Sequence, residues 1–232
     1  MNKPPTVLKI MDICAAIAIL AATGMVLFYA PVEKVMGAVQ KLFYFHVSVG
    51  WVGMLAFLAA AVCGFFFLRS GDFRWDVAGV AAVEIGVIFV TACIITGSLW
   101  AKPIWNTYWT WDPRLTTAAI LVFIYIAYFL LRQGVDDPDK KARFAAVYAI
   151  IGFVSVPLTF ISIRLFRTIH PVVIGSSDPA ASGMFDMTYP MRVTFFVSLA
   201  AFSLLFIVLF WHRIRLGEKK FALEKIREIE ED

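Results

Sequence analysis

The sequence predicts an all-α integral membrane protein with six transmembrane helices. Of its 232 residues, 61% are hydrophobic and only 16% are charged, whereas soluble domains contain about 45–50% apolar and about 25% charged residues. The mean hydropathy is +0.80. Six apolar stretches have roughly the 17–25 residues that a membrane-spanning helix needs. This composition excludes an ordinary soluble enzyme, a disordered chain and a secreted disulfide-rich scaffold.

The six predicted spans lie at about 8–30, 44–68, 77–98, 116–131, 144–163 and 192–212. The fourth is short, so we expect its outer end to include part of the preceding loop. The first is about 20 residues long and ends in Tyr29-Ala30-Pro31, so it is interpreted as a span and not as a cleavable signal peptide. The connecting segments are too short for a soluble domain, and residues 1–232 are expected to form one domain.

Lys and Arg set the predicted orientation, because cytoplasmic loops are enriched in them. With the N-terminus inside, the inward segments carry 14 of the 21 basic residues and the outward segments carry seven. Both termini are therefore expected in the cytoplasm, and the net charge of +4 is attributed to this bias and not to nucleic-acid binding. The tail at 213–232 has apolar residues at helical spacing from Ala222 to Ile229. It predicts a short amphipathic helix on the bilayer or on the bundle, with a partner contact as the less favoured alternative.

Motifs for catalysis and for covalent haem attachment are absent from the sequence. There is no CxxC or CxxCH, no P-loop, no HExxH and no plausible Ser/His/Asp or Cys/His arrangement. Cys14, Cys63 and Cys93 all lie in apolar runs and are interpreted as small buried hydrophobic residues. We therefore do not expect catalysis in the ordinary sense.

An aromatic cluster lies in the predicted outward segment 97–117, GSLWAKPIWNTYWTWDPRLTT. Four of the seven tryptophans fall within it, at Trp100, Trp105, Trp109 and Trp111. If the segment is helical, Trp105, Tyr108, Trp109 and Asp112 share one face. Two interpretations remain open: an aromatic belt at the membrane surface, or a shelf for a flat apolar ligand whose carboxylates meet the flanking Lys102 and Arg114.

The histidines favour the ligand shelf. Of the three in the chain, His46 and His170 are predicted on the same side of the membrane as the tryptophans, and His212 on the opposite side. A single histidine at a membrane edge usually only anchors the helix. Two imidazoles facing each other across an aromatic slot would form a bis-histidine haem site, so His46 and His170 are the candidate axial ligands. His212 is interpreted as structural.

The stretch from Trp105 to Thr116, WNTYWTWDPRLT, resembles the tryptophan-rich WWD motif of the haem-handling membrane proteins. With its length, six spans and two flanking histidines, the chain resembles the haem exporter protein C (CcmC) family of system I cytochrome c maturation over essentially its whole length. Asn106 and Tyr108 depart from the Gly and Trp that are frequent in that motif. The larger relatives of the superfamily need more spans than this chain provides.

The resemblance implies a platform in the cell inner membrane that binds haem b non-covalently on its outer face. Its site residues would be the axial histidines His46 and His170 and, from the motif, Trp105, Trp109, Trp111, Asp112 and Arg114, with Trp100, Lys102 and Tyr108 beside them. Its implied partners are a membrane-anchored haem chaperone, the ATPase and membrane subunits of an ABC-type transporter, and a small single-span subunit. The runner-up is a haem b/quinone membrane anchor of an electron-transfer complex. A channel or carrier is also conceivable but would need more polar residues in the spans.

Glu84 is the one carboxylate predicted deep in a span, about 12 Å from the inner surface at 1.5 Å per residue. A charge in hydrocarbon is costly. We therefore expect Glu84 to be neutral or hydrogen-bonded to a neighbouring helix, in a structural role, with a proton or substrate path as the alternative.

Overall fold

The computed structural model describes residues 4–34, 36–166, 170 and 187–231. Within them, seven α-helices follow one another: α1 (Thr6–Gly24), α2 (Lys41–Ser70), α3 (Phe73–Trp105), α4 (Pro113–Gln133), α5 (Pro138–Phe153), α6 (Ser155–Leu165) and α7 (Tyr189–Glu231). A π-helical turn, Met25–Tyr29, continues α1, and a 3-10 helix, Ala38–Gln40, precedes α2. The predicted all-α architecture is confirmed.

Six helical segments are long and apolar enough to cross a membrane: Thr6–Tyr29, Ala38–Ser70, Phe73–Trp105, Pro113–Gln133, Pro138–Ser162 and Tyr189–Leu223. Each overlaps one predicted span, so the multi-pass membrane fold is confirmed. Most of the observed helices are longer than the spans, because a helix ends at its cap and not at its last apolar residue.

Three helices begin at an aspartate whose carboxylate accepts a hydrogen bond from a backbone N–H of the first turn: Asp72, Asp112 and Asp137. At α4, Asp112 accepts from the N–H of Arg114 at 2.9 Å, and Pro113 occupies the first helical position. These are the preferred residues at a helix start, so the Asp-Pro pair sets where α4 begins.

The fifth predicted span is broken at Val154, where α5 ends and α6 begins. Pro157 has no N–H to donate to the carbonyl one turn earlier, which weakens the helix at this point. The N–H of Val154 instead bonds the Ile151 carbonyl at 3.1 Å. After the break, α6 carries Thr159 against the start of α4.

The predicted tail helix is not a separate element. Residues 213–231 continue α7 without interruption, so α7 runs for 43 residues. Past residue 213 it packs on the start of α3, where Phe221 stacks on Phe73 with ring centroids 5.5 Å apart. The backbone at Gly217 lies so close to Val77 that a Cβ there would be 2.5 Å from it. This part of the tail therefore packs on the helical bundle and not on the bilayer surface.

α2 and α3 form an antiparallel hairpin whose two helices approach closely at four glycines. Each glycine accepts a side chain of the other helix, at positions spaced by four, three and four residues along both helices. We call these four contacts the glycine ladder; starting nearest the turn, its pairs are Phe57–Gly86, Val90–Gly53, Cys93–Gly50 and His46–Gly97. A Cβ on any of the four glycines would lie 2.4–2.9 Å from the opposing side chain. The ladder sets the register of the hairpin and the height of His46 on it.

The two ends of the bundle differ. At the ion-pair end, where α3 begins and α4 ends, two ion pairs join different helices among the described residues, Asp76–Arg132 and Glu84–Arg213, and His212 contacts the Asp12 carboxylate. At the pocket end, where α3 ends and α2 and α4 begin, lie His46 and the tryptophan-rich segment.

The interpretation of the cysteines is correct for Cys63, which is buried, and wrong for Cys14, which is exposed. Cys93 is half-buried. Helix α1 lies at the edge of the bundle and turns large apolar residues such as Ile13 and Ile17 outward. In a membrane such a face contacts lipid tails, which are as apolar as a protein core, so apolar surroundings in the sequence did not imply burial.

Candidate functional site

A cavity that is open to solvent lies at the pocket end, between α2, α3, α4 and α6. Its wall is largely apolar and includes Met54, Val90, Ile94, Leu115 and Leu121. Small-molecule sites typically combine an apolar lining with a few placed polar groups. Here the polar groups include both predicted outward histidines and Arg114.

His46 lies at the start of α2, with its ring against α3. Its Nδ1 is 3.0 Å from the Cys93 carbonyl oxygen and 3.3 Å from the Thr96 hydroxyl. A carbonyl only accepts hydrogen bonds, so this contact requires the proton on Nδ1. In the neutral imidazole the other nitrogen, Nε2, is then unprotonated and suited to bind a metal, in the arrangement that metal-ligating histidines commonly show.

His170 lines the same cavity, and its ring centroid is 6.4 Å from that of His46, with an angle of 42° between the ring planes. Metal–imidazole bonds are about 2.0–2.1 Å long. Two imidazoles bound on opposite sides of one metal ion would therefore have centroids about 6.3–6.5 Å apart. The separation of the two rings fits one iron between them.

The tryptophans divide into two groups. Trp100, Trp105 and Trp109 line the cavity, and the rings of Trp100 and Trp105 meet edge to face at 5.2 Å. Trp111 is 78% exposed, and Tyr108 is 57% exposed. Neither of these two is part of the cavity wall. The structure therefore brings three of the predicted aromatic residues to the cavity and leaves two on the surface.

The conditional prediction of one helical face for Trp105, Tyr108, Trp109 and Asp112 does not hold. Helix α3 ends at Trp105, and Asn106 adopts a left-handed conformation with φ of 54°. Asparagine tolerates this conformation better than most residues. Residues 106–112 are irregular, so Trp100, Lys102 and Trp105 belong to a helix and Tyr108, Trp109 and Trp111 to a loop.

Lys102 stabilises the end of α3 and is not part of the cavity wall. Its ammonium group donates to the backbone carbonyl of Asn106 at 3.1 Å and to the Asn106 side-chain oxygen at 3.2 Å. The ammonium also lies 5.4 Å from the centre of the Tyr108 ring. A cation in the last turn bonds the carbonyls that a helix leaves without N–H partners, so Lys102 has a structural task in this conformation.

Arg114 does line the cavity. Its guanidinium donates through Nη1 to the Thr159 carbonyl at 2.5 Å and lies over the Phe160 ring at 4.8 Å. Both contacts come from α6, so the break at Val154 helps to place the guanidinium. A carbonyl is a neutral acceptor, so this bond does not itself neutralise Arg114, which also interacts electrostatically with the Asp112 carboxylate. Asp112, the other charged residue of the motif, caps α4.

Four residues at this site were not singled out from the sequence: Cys93, Thr96, Gly97 and Thr159. For the first three a signal existed in composition, because Gly50, Gly53, Gly86 and Gly97 lie in two consecutive apolar spans and small residues are enriched where membrane helices approach closely. Thr159 gave none, since its carbonyl reaches Arg114 only after α6 diverges from α5.

Glu84 and His212 lie away from the cavity, as expected. Glu84 is hydrogen-bonded to Arg213 of α7 through both carboxylate oxygens, with Arg213 Nη2 2.7 Å from Oε1. The predicted hydrogen bond to a neighbouring helix is thus confirmed, and the partner is a cation. His212 Nε2 is 2.8 Å from an Asp12 carboxylate oxygen, which ties α7 to α1.

Comparison with known proteins gives consistent results. Residues 3–226 match the family model of Heme exporter protein C, CcmC. The Heme exporter protein C of Bradyrhizobium diazoefficiens is 33% identical over 206 residues, which cover 85% of this chain and 74% of that protein. The protein of the same name from Escherichia coli K12 is 30% identical over 192 residues, covering 83% and 77% of the two chains.

A more distant relative is a putative cytochrome c biosynthesis ccmC-like mitochondrial protein of Marchantia polymorpha, 29% identical over 144 residues that cover 62% of this chain and 60% of that protein. The family match extends across all six membrane-spanning helices and includes both cavity histidines and the tryptophan-rich segment. The chain therefore belongs to the Heme exporter protein C family.

Proposed function

We propose that this protein binds haem b non-covalently in the cavity at the pocket end and delivers it to a membrane-anchored haem chaperone for the assembly of c-type cytochromes. Its family supports the broader role, which is haem handling in cytochrome c maturation as a transport and delivery component. His46 and His170 are the axial ligands in this proposal, and haem is the cargo that the protein holds and releases.

The observation that carries the proposal is the pair of histidine rings in the cavity wall. Their centroid separation of 6.4 Å matches the distance expected for two imidazoles on one iron. The hydrogen bond at His46 Nδ1 leaves Nε2 as the donor atom on that side. A neutral imidazole on each face is a common ligand set for haem iron.

The rest of the cavity wall suits the other parts of haem. Trp100, Trp105 and Trp109 offer flat apolar surface to the porphyrin. Arg114 brings a cation to the cavity and is suited to a propionate carboxylate through charge-assisted hydrogen bonds. The chemistry of the wall thus complements both the apolar macrocycle and its charged edge.

Delivery requires a face open to a partner, and the tryptophan-rich loop supports one. Trp111 and Tyr108 lie next to the cavity residue Trp109 in the chain and expose most of their area. Exposed aromatic residues are enriched at protein contact surfaces. We infer that this loop meets the chaperone on the outer side of the inner membrane, with both termini in the cytoplasm. The ATPase and membrane subunits of an ABC-type transporter and a small single-span subunit complete the proposed assembly.

The test is haem titration of the full chain in detergent or nanodiscs, followed by transfer to the co-purified chaperone. Wild-type protein is expected to give a low-spin Soret spectrum and to transfer its haem. His46→Ala and His170→Ala should each lose the low-spin spectrum, with partial recovery on added imidazole. His212→Ala, the third histidine, is the matched control and should behave as wild type.

Two outcomes would overturn the proposal. An unchanged low-spin spectrum in either cavity variant would remove that histidine from the ligand set. Stoichiometric haem that stays bound in the presence of the chaperone and is reduced by quinol would instead indicate a haem b/quinone membrane anchor.

A further inference from the structure

The position of the His46 ring depends on residues of α3 that are not themselves proposed as haem ligands. The His46 ring is the last side chain of the glycine ladder, and it lies on the backbone of α3 at Gly97. A Cβ at Gly97 would be 2.8 Å from Cε1 and 3.2 Å from Nδ1 of the ring. Contacts below 3.0 Å are not tolerated, so only glycine admits the ring in its present position.

The hydrogen bonds of the ring come from the same turn of α3. His46 Nδ1 approaches the Cys93 carbonyl at 3.0 Å and the Thr96 hydroxyl at 3.3 Å. The Thr96 hydroxyl lies 2.8 Å from the Ala92 carbonyl, to which it donates. Because its own hydrogen is directed there, its lone pairs remain for the Nδ1–H of His46. The Cys93 carbonyl and the Thr96 hydroxyl therefore both converge on Nδ1, and the Cys93 thiol sulfur lies 3.7 Å from the same atom.

We propose that Thr96 and Gly97 are positioning residues: with the Cys93 carbonyl they fix the plane and the tautomer of His46, so that Nε2 is the atom presented to haem iron. This inference rests on the proposed function, because it assigns how one axial ligand is held. Gly97 sets where the ring lies, and the two acceptors set which nitrogen carries the proton. Groups that orient a ligating histidine in this way also raise the donor strength of its other nitrogen.

The ladder makes the position of the ring rigid along the helix axis. His46 cannot slide along α3 unless the other three pairs shift as well, since all four share one register. A register shift of one helical turn would place Phe57 and His46 against residues that carry a Cβ atom instead of against glycines. The arrangement therefore holds the ligand nitrogen at one height before haem arrives, which reduces the ordering that binding requires.

The first experiment measures haem affinity and the spectrum of bound haem for Gly97→Ala. We expect the affinity to fall about 10- to 100-fold, the range found when groups supporting a metal ligand are removed, and the spectrum to turn partly high-spin. Gly24→Ala is the matched control, because a Cβ there meets nothing within 4 Å. Gly86→Ala alters the same ladder at Phe57, and a much smaller effect is expected from it.

The second experiment uses Thr96→Val, which keeps the shape of the side chain and removes the acceptor. We expect it to bind haem with a raised reduction potential, because a weaker hydrogen bond at Nδ1 makes Nε2 a poorer donor to ferric iron. Thr91→Val, on an exposed position of the same helix, is the control. In haem-free protein, ¹⁵N NMR of the histidines should show the Nδ1–H tautomer for the signal that His46→Ala removes.

The outcomes separate this inference from the proposed function. If His46→Ala leaves the low-spin spectrum intact, the proposed ligand itself is wrong. If His46→Ala abolishes that spectrum while Gly97→Ala and Thr96→Val match wild type, the ligand stands and the positioning role is refuted. An Nε2–H tautomer in haem-free protein, or equal losses for Gly97→Ala and Gly86→Ala, would refute the positioning role as well.

Discussion

The two ends of the bundle use charged and polar side chains in opposite ways. At the ion-pair end two charged pairs join different helices, Asp76–Arg132 and Glu84–Arg213. At the pocket end His46 and Arg114 bond backbone carbonyls of neighbouring helices. A carbonyl has no net charge, so it orients the Arg114 guanidinium without neutralising it. It orients His46 through Nδ1 without using the other ring nitrogen, Nε2. Charged side chains therefore join the helices at one end of the bundle, whereas at the other end polar side chains line a cavity.

The largest expected effect concerns stability at the ion-pair end. Arg132→Leu leaves Asp76 without its partner in a pair whose side chains are only 18% and 11% exposed. Breaking one side of a buried pair typically costs about 3–5 kcal/mol, so a large drop in the thermal midpoint in detergent is expected. The haem spectrum of the protein that remains folded should be unchanged.

Asp76→Asn combined with Arg132→Leu is the matched double variant and should recover part of the lost stability, because no charge is left without a partner. A normal thermal midpoint with a lost haem spectrum in Arg132→Leu would contradict the division of tasks between the two ends.

The next effect concerns the charge at the pocket end. Arg114→Leu should weaken haem binding about 10- to 100-fold, because a hydrogen bond to a charged group contributes about 1.5–3 kcal/mol. Haem dimethyl ester, which lacks the propionate charges, should bind wild type and Arg114→Leu alike. Arg192→Leu, at an exposed position near the start of α7, is the control. Equal losses for haem and its ester would show that Arg114 supports the cavity only through Thr159.

Within the pocket end, the tryptophans that line the cavity and the exposed Trp111 are expected to have different roles. Trp105→Ala should lower haem affinity, because this ring lines the cavity. Trp111→Ala should keep the affinity and lower transfer to the chaperone about tenfold, as expected for an aromatic contact worth more than 1 kcal/mol. Haem titration and a transfer assay separate the two. If a stably inserted Trp105, Trp109 and Trp111 to Ala variant still loads the chaperone normally, the segment is only an aromatic belt.

The smallest effect is expected from Glu84→Gln. An amide oxygen still accepts from Arg213, and both side chains of this pair are about one-third exposed, so the expected loss of stability is about 1 kcal/mol or less. Haem content and chaperone loading should match wild type. Complete loss of loading at a normal protein level would favour the proton or substrate path.

The features that the sequence predicted well are those determined by short stretches of chain. The spans follow from apolar length, and the start of α4 follows from Asp112-Pro113, which needs no tertiary contact. The prediction that His46 and His170 lie on the same side of the membrane rested on the distribution of Lys and Arg and on the number of spans. The structure brings the two rings together, and haem binding by them stays a prediction.

The features that were missed or wrong depend on packing. The separation of Trp105 from Trp111 follows from the left-handed Asn106, and the contact of Arg114 with Thr159 follows from the break at Val154. Lys102 can donate to Asn106 because α3 ends at Trp105. Cys14 is exposed because α1 lies at the edge of the bundle. In each case the sequence pattern was compatible with several arrangements, and long-range contacts selected one.

The glycine ladder also has a consequence for the order in which the hairpin forms. A short turn, Gly71-Asp72, joins α2 and α3, and contacts close to a turn cost the least loop-closure entropy. The Phe57–Gly86 pair, nearest the turn, is therefore expected to form first, and the His46–Gly97 pair, farthest from the turn, is expected to form last. The open end of the ladder should also fray most readily in the native state. The His46–Gly97 contact is thus the step of the ladder farthest from the turn, at the end of the hairpin where the cavity lies.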